Sequence, residues 1–171
     1  ADANQPVWGM IIDIDHFKNI NNTLGHITGD HVLAALGKTL NEFFPEEMVV
    51  RFGGEEFCVV LPNLNLEKAA QIGERIRQAV EKKSCSGVQI TVSLGVASLE
   101  SGTSKPDELI DQADKALYAA KKSGRNRIVT WGKDNKSFAE IDGGTEIQEQ
   151  DAPPEKSATD DKDQAQLERR V

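Results

Sequence analysis

Short runs of apolar, β-branched residues alternate along the first 131 residues with longer segments in which apolar residues recur every three or four positions. The short runs are typical of buried strands, and the longer segments of amphipathic helices. Pro45 and Gly124 follow the first and the third helical segment, where helices commonly end. The pattern predicts the order β-α-β-β-α-β-α-β, with strands at 7–12, 48–52, 57–61, 88–99 and 127–131 and helices at 31–44, 66–80 and 106–122. Such an order favours a mixed sheet with helices packed on it.

The charged residues are distributed unevenly along the chain. The 171 residues include 28 acidic and 20 basic ones, a net charge of −8, and residues 137–171 alone contain ten of the acids and four of the bases. That end of the chain has few large apolar residues, which is typical of disordered segments. We therefore predict an N-terminal remnant at 1–6, a folded domain at 7–132, and an acidic tail at 133–171 that is disordered from about residue 137.

The composition argues against several classes of protein. The folded part is nearly neutral, so its charge does not favour nucleic-acid binding. Cys58 and Cys85 lack the spacing of a disulfide framework or a zinc site. No apolar stretch reaches the length of a membrane span, and no signal-peptide pattern is present. These features predict a cytoplasmic segment without membrane contact and leave open a membrane-anchored parent protein.

Two adjacent carboxylates follow a Gly-Gly pair between the second and third predicted strands. Gly53 and Gly54 would allow a tight structural turn and a close approach of the backbone to a ligand. Glu55 and Glu56 repel each other at such a turn unless a cation neutralises them. A solvent-exposed hairpin tip with surface glutamates explains these four residues equally well when they are taken alone.

A second group of carboxylates ends the first strand. Asp13 and Asp15 follow a buried apolar run, and Asp13 could converge with Glu55 as a hard oxygen ligand of the kind that Mg²⁺ prefers. Either aspartate could instead cap a helix or lie in a turn. Lys121 and Arg125 add two cations at the end of the last helix, where basic residues also complement the helix dipole.

Residues 51–57, RFGGEEF, resemble the signature of the GGDEF family of diguanylate cyclases in its common GGEEF form. Four further blocks resemble family motifs in the same order and with the same spacing: DIDHFKNIN at 13–21, GHITGD at 25–30, TVSLGVA at 91–97 and ADKALYAAKKSGRNR at 113–127. The resemblance covers about residues 7–131. It implies an α/β (α+β) fold of the nucleotidyl-cyclase type, with a palm-like, mixed and mainly antiparallel five-stranded sheet flanked by helices.

The resemblance also implies roles for individual residues. Asp13, Glu55 and the backbone carbonyl of Ile14 would hold Mg²⁺ (or Mn²⁺), and Glu56 would act near the reacting 3′-hydroxyl in a supporting or general-base role. Six residues would contact the substrate. Phe17 and Lys18 would bind the phosphates through their backbone amides, and Lys121 and Arg125 would bind them through their side chains. Asn21 and Asp30 would bind the guanine. Asp30 favours GTP over ATP because a carboxylate accepts from guanine N1–H and N2–H, whereas adenine presents an acceptor at N1.

The implied activity is that of a diguanylate cyclase, which condenses two GTP molecules into cyclic di-GMP and pyrophosphate in bacterial second-messenger signalling and biofilm formation. Each domain binds one GTP, so turnover needs two facing domains, which a two-fold homodimer supplies. The alternative is a catalytically impaired GGDEF domain that binds GTP and regulates a partner. The presence of all the carboxylates and cations named above favours the enzyme. A purely structural dimerisation domain explains neither the carboxylates nor the Asn21–Asp30 pair.

The chain departs from the family pattern in three places. The product-inhibition motif Arg-x-x-Asp is replaced by FPEE at 44–47, so we expect no high-affinity feedback by cyclic di-GMP there. Arg75 either matches a secondary inhibitory arginine or is simply solvated. Asn22 stands where aspartate is usual. The family's leading helix is missing before the first strand, so we expect a fragment of a parent with an N-terminal sensor domain, in which activity could be impaired.

Overall fold

The computed structural model describes residues 7–45, 48–62, 64, 66–99, 105–132, 137–140 and 146–148. The elements are β1 (Val7–Ile14), α1 (Phe17–Leu24), α2 (His26–Phe43), β2 (Met48–Gly53), β3 (Glu56–Pro62), α3 (Leu66–Lys82), β4 (Val92–Leu99), α4 (Pro106–Lys122), β5 (Ile128–Trp131), β6 (Ser137–Glu140) and β7 (Glu146–Gln148). All eight elements expected from the hydrophobic pattern are present. No helix within these described ranges is both long and apolar enough to cross a membrane.

A single sheet with the strand order β2-β3-β1-β4-β5-β6-β7 forms the centre of the molecule. β1 lies between β3 and β4 and is antiparallel to both, and β2 is antiparallel to β3. β4 and β5 are parallel, and α4 connects them as a crossover. The first five strands in this order confirm the predicted mixed, mainly antiparallel sheet.

Helices cover both faces of the sheet and bury a separate apolar layer on each. Successive residues of β1 point to opposite faces, so that Met10 and Ile12 join the layer under α2 and α3, whereas Ile11 joins the layer under α4. Gly95 of β4 lets α4 lie directly on the strand, since a Cβ there would overlap with backbone atoms of the helix. This packing carries the C-terminal end of α4 toward the end of β1.

The hydrophobic pattern missed α1 and the start of α2. Only Phe17 of the eight residues of α1 is buried, so the helix has too few apolar positions to show a helical period. Gly25, with a φ of 85°, separates α1 from α2, which begins at His26 and thus five residues before its predicted start. β4 begins later than predicted, at Val92, because Cys85 and Val88 form only an isolated bridge before it.

Two strands lie in the segment for which we predicted disorder. β6 pairs with β5, matching Trp131 to Phe138, and β7 pairs with β6. The prediction is therefore wrong for these seven residues. Its physical basis was the lack of apolar residues, but the free edge of β5 offers backbone hydrogen bonds to any extended segment. The rest of the predicted tail and residues 1–6 lie outside the described residues.

Candidate active site

The C-terminal end of β1 brings three acidic residues together. Asp13, which is 3% exposed, pairs with Glu56 across the β1–β3 ladder. The next residue, Ile14, donates its backbone N–H to the carbonyl of Glu55 at 3.4 Å, so the hairpin turn lies against the strand end. Residues that are far apart in the sequence thus form one acidic cluster, which we define as Asp13, Glu55 and Glu56.

One cation contacts this acidic cluster. Nζ of Lys121, in the last turn of α4, lies 2.8 Å from Oδ2 of Asp13. Burial nevertheless raises the pKa of Asp13 from 3.8 to about 6, against the lowering effect of Lys121 and with further raising by the charges of Glu55 and Glu56. The ionised form of Asp13 is therefore incompletely compensated, and another cation would stabilise it.

The donor set of the acidic cluster fits a magnesium ion. Within the described ranges, no three Asp, Glu, His or Cys side chains are arranged as a ready-made metal cage. Mg²⁺ commonly binds through one or two carboxylates together with phosphate oxygens and water, and needs no such cage. Asp13 and Glu55, together with the carbonyl of Ile14 at the end of β1, supply oxygen ligands of this kind.

Asp15 has a different environment, although it lies only two residues after Asp13. It is 5% exposed and accepts hydrogen bonds from the hydroxyls of Thr91 and Ser93, both at 2.7 Å, and from the backbone N–H of Asn126 at 3.0 Å. We expected Asp15 to cap a helix or to lie in a turn, and it lies in the turn between β1 and α1. The carboxylate joins three segments of the backbone.

Arg51 holds the hairpin turn that presents Glu55. Its Nε and Nη2 donate to the carbonyl of Gly54, at 3.0 and 2.7 Å. The tight turn predicted for this glycine pair is present, since only Gly54 and Glu55 separate β2 from β3, and it needs no positive φ at either glycine. Around Gly54 a Cβ would meet nothing within 4 Å, which leaves the backbone of the turn accessible.

A cleft of about 500 Å³ opens beside this turn. It is lined by Phe17, Lys18, Asn21, Asn22, His26, Asp30, Leu33, Arg51, Gly54 and Glu55. The start of α1 forms one wall, and its N-cap His16, with a φ of 57°, makes no side-chain capping bond. The amides of Phe17 and Lys18 therefore lie at a helix N-terminus, a position that suits phosphate groups.

Asn21 and Asp30 lie at the same cleft, on α1 and α2. Oδ1 of Asn21 is buried and has no hydrogen-bond partner among the described residues. The side chain lies against Gly29, since a Cβ at that position would overlap with Oδ1 of Asn21. The exposed carboxylate of Asp30 and the buried amide oxygen of Asn21 thus give the cleft two polar groups.

Comparison with known proteins identifies the family. The family model described as diguanylate cyclase, GGDEF domain, matches residues 1–127. The chain belongs to the GGDEF family. Diguanylate cyclase A of Treponema denticola is 42% identical over 131 residues, which are 74% of this chain and 35% of that protein. Diguanylate cyclase DgcM of Escherichia coli is 47% identical over 122 residues, 70% of this chain and 30% of that protein. The chain thus spans about a third of the length of these relatives.

Solved structures show the same fold. The active GGEEF domain of a diguanylate cyclase from Vibrio cholerae is 37% identical with a TM-score of 0.71, over 75% of this chain and 85% of that one. The GGDEF domain of DgcB from Caulobacter crescentus, in complex with c-di-GMP, is 35% identical with a TM-score of 0.69, over 74% and 78% of the two chains.

The remaining residues to which the resemblance gave roles in this GGDEF domain do not line the cleft. Lys121, in the last turn of α4, contacts Asp13 of the acidic cluster, and Arg125 lies in the turn after α4. Arg75 is exposed on α3 and lies over the ring of Phe43, with its Cζ 5.8 Å from the ring centroid. Glu46 and Glu47, which replace the product-inhibition motif, lie outside the described residues, so the feedback prediction stays a prediction.

Several residues of the GGDEF domain support the site although the sequence assigned them no role. Arg51 fixes the hairpin turn, Gly29 makes room for Asn21, and Asn126 binds Asp15. Arg51 and Gly29 act on residues three and eight positions away, whereas Asn126 binds a residue 111 positions away. Only Asn126 carries a local hint, since asparagine shortly after a helix-ending glycine often adopts a left-handed backbone.

Proposed function

We propose that this GGDEF domain is a diguanylate cyclase that condenses two GTP molecules into cyclic di-GMP and pyrophosphate, with Mg²⁺, between two copies of the chain. The observation that carries the proposal is the acidic cluster, in which Asp13 is buried, undercompensated and adjacent to two glutamates. A structural carboxylate would have its charge satisfied by fixed donors, as Asp15 has. The cluster instead suits a cation that arrives with the substrate.

The cleft beside the cluster is large enough for a nucleotide and has polar groups suited to each end of GTP. The amides at the start of α1 and the cations Lys121 and Arg125 would bind the phosphates. Asp30 would accept from guanine N1–H and N2–H, and Asn21 would supply a further hydrogen bond from its otherwise unsatisfied amide. Adenine, with an acceptor at N1, would face the Asp30 carboxylate unfavourably.

In the proposed reaction the 3′-oxygen of one GTP attacks the α-phosphorus of the other. A new phosphorus–oxygen bond forms, the bond to the β-phosphate bridging oxygen breaks, and pyrophosphate leaves. Glu56, which pairs with Asp13 across the ladder, would accept the proton of the 3′-hydroxyl, while Lys121 and Arg125 would neutralise charge on the departing phosphates. The metal held by Asp13, Glu55 and the carbonyl of Ile14 would supply charge neutralisation and orientation of the phosphates.

Two copies of the chain are needed because both reacting groups must come from separately bound nucleotides. A two-fold arrangement lets each domain present one 3′-hydroxyl and one α-phosphate, so the same step occurs twice and closes the ring. The main contribution of the protein is then to hold the two nucleotides in the reacting orientation.

The direct test is to incubate the purified chain with GTP and Mg²⁺ and to resolve cyclic di-GMP by chromatography. We expect product from the native chain and none from the double variant Asp13→Ala/Glu55→Ala. The matched control is Asp107→Ala/Glu108→Ala, which removes two acidic residues from the exposed first turn of α4 and should keep activity.

Two results would argue against the cyclase. Product from ATP at the same rate as from GTP would contradict the role of Asp30. GTP binding without product would favour the alternative, a regulatory GTP-binding module.

A further inference from the structure

The turn that follows α4 has an unusual backbone conformation. Arg125 and Asn126 both have positive φ, 65° and 48°. Residues with a side chain rarely adopt this left-handed region, and asparagine tolerates it better than most. Two such residues in succession persist only where the surrounding structure holds them.

Asn126 is held at three points. Its backbone N–H donates to Oδ2 of Asp15 at 3.0 Å. Its side-chain Oδ1 accepts from Nη1 of Arg77 at 2.9 Å, and its Nδ2 donates to Oε1 of Glu81 at 2.7 Å. Every polar group of its side chain is therefore engaged with α3, while its backbone is tied to the end of β1.

The partners of Asn126 are themselves fixed. Arg77 also binds Glu74 in a bidentate pair, at 2.8 and 2.7 Å, and reaches Oε2 of Glu81 at 2.9 Å. Asp15 is held by the Thr91 and Ser93 hydroxyls described above. A connected network of hydrogen bonds thus joins the end of β1, β4 and α3 to Asn126.

Arg125 differs from its neighbour, because only its backbone is bonded. Its N–H donates to the carbonyl of Ala120 and its own carbonyl accepts from Nε of Arg127, both at 3.0 Å. Its guanidinium makes no hydrogen bond or ion pair with any part of the chain that the structure describes. The residue therefore combines a fixed backbone with an unengaged cation.

We propose that Asn126, anchored through its side chain by Arg77 and Glu81 of α3, is a positioning residue that directs the guanidinium of Arg125 toward the nucleotide phosphates. The inference rests on the proposed function, in which Arg125 contacts the triphosphate, and adds a residue that acts through Arg125 without touching the substrate. Without the anchor, Arg125 would leave the left-handed conformation, and its side chain would point elsewhere.

A double-mutant cycle on the full chain tests this. The ligand is a GTP analogue with a methylene between the α- and β-phosphates, which cannot release pyrophosphate, and its dissociation constant is measured by calorimetry with Mg²⁺. We expect Arg125→Ala and Asn126→Gly each to weaken binding about tenfold, and the double variant to bind no more weakly than Arg125→Ala alone, because contacting residues couple. The affinity for GMP, which lacks the β- and γ-phosphates, should change less than twofold.

Asn126→Gly is chosen because glycine keeps the left-handed conformation accessible while removing the contacts with α3. Ser86→Gly is the matched control, since exposed Ser86 also has a positive φ, 51°, outside the proposed site. It should leave analogue binding unchanged. Should Asn126→Gly fail to fold, Asn126→Asp keeps the acceptor for Arg77 but repels Glu81, and the same cycle applies.

The outcomes separate the two proposals. Unchanged binding in Arg125→Ala would overturn the triphosphate role and with it the positioning role. Weakened binding in Arg125→Ala with unchanged binding in Asn126→Gly would overturn the positioning role alone. Independent effects that multiply to about a hundredfold in the double variant would also overturn it, because Asn126 would then act by some other route.

Discussion

Asp13 and Asp15 lie two residues apart at the end of β1, and both are almost fully buried. Asp15 accepts three hydrogen bonds from fixed donors on β4 and on the turn after α4. Among the residues that the structure describes, Asp13 has one ion-pair partner, Lys121, and it faces two glutamates. The two carboxylates are similarly buried, but they differ in the positive charges and hydrogen-bond donors that surround them.

The difference separates a structural carboxylate from a functional one. Burying a carboxylate is costly unless donors compensate it. Around Asp15 the protein provides that compensation itself, so the group can hold segments together. Around Asp13 the compensation is incomplete, so burial raises the pKa of its carboxyl group. Such a site gains most from binding a cation, which is why we assign the metal to Asp13 and a structural role to Asp15.

The largest expected effect is on turnover in Asp13→Asn. The amide removes the negative charge that would bind Mg²⁺, so cyclic di-GMP formation should fall about a thousandfold, or about 4 kcal/mol in the barrier. Asp15→Asn is the matched variant and should keep turnover within about tenfold, since an amide still offers an acceptor. Initial rates measured by chromatography would compare them. Equal losses in both variants would remove the distinction between the two aspartates.

The second prediction reverses the order of the two aspartates and concerns stability. Asp15→Ala leaves two hydroxyls and a backbone N–H without their acceptor, and we expect a loss of about 3 kcal/mol in the free energy of unfolding. Asp13→Ala should cost less than about 1 kcal/mol, because the removed carboxylate was poorly compensated. Urea unfolding at pH 7 without Mg²⁺ would measure both. A larger loss in Asp13→Ala than in Asp15→Ala would contradict our interpretation of the two sites.

The third prediction uses the pH dependence of Asp13. Burial, as the largest cause, raises its pKa from 3.8 to about 6 in the folded state. The folded protein thus holds the proton more tightly than the unfolded chain, so Asp13 costs no stability below about pH 4 and destabilises the fold increasingly up to about pH 6. Between pH 4 and pH 7, the free energy of unfolding of the native chain should fall by about 2 kcal/mol relative to that of Asp13→Asn.

Magnesium supplies the control for this pH prediction. Because the ion would bind the charged form of Asp13, adding Mg²⁺ at pH 7 should recover part of the lost stability in the native chain and none in Asp13→Asn. Unfolding curves of the two proteins at matched pH values would show it. A difference between the proteins that does not depend on pH would mean that Asp13 is charged throughout this range.

The fold was predictable from the sequence where burial is periodic. The strands and long helices of the sheet carry regular apolar positions, and the positions of Pro106 and Gly124 gave both ends of α4 within two residues. The same method failed for α1, where one buried residue gives no period, and for β6 and β7, which pair through backbone groups. Backbone hydrogen bonds of this kind do not depend on residue type, so they leave little trace in the sequence.

The candidate site was predictable only as a set of residue types. The motif spacing brought Asp13, Glu55 and Lys121 to attention, and the structure places them together. The resemblance to the family gave a role to Asp13 and none to Asp15, but the physical difference between them lies in donors contributed by residues 76 to 111 positions away. The resemblance also gave no role to Gly29, whose importance depends on a side chain of another helix.

Asn21 extends the comparison to an uncharged group, and Gly29→Ala gives the smallest predicted effect. Like Asp13, Oδ1 of Asn21 is buried without enough partners, and a Cβ at position 29 would overlap with it. We expect affinity for GTP to fall about fivefold, or about 1 kcal/mol, while the helix itself is stabilised by replacing glycine.

Gly37→Ala in the same helix is the control, since its Cβ would only contact the ring of Phe57, at 3.5 Å. Calorimetry with GTP and thermal unfolding should therefore show weaker binding without lower stability at position 29, and unchanged binding at position 37. A loss of affinity at both positions would mean that α2 as a whole, and not the placement of Asn21, governs binding of the base.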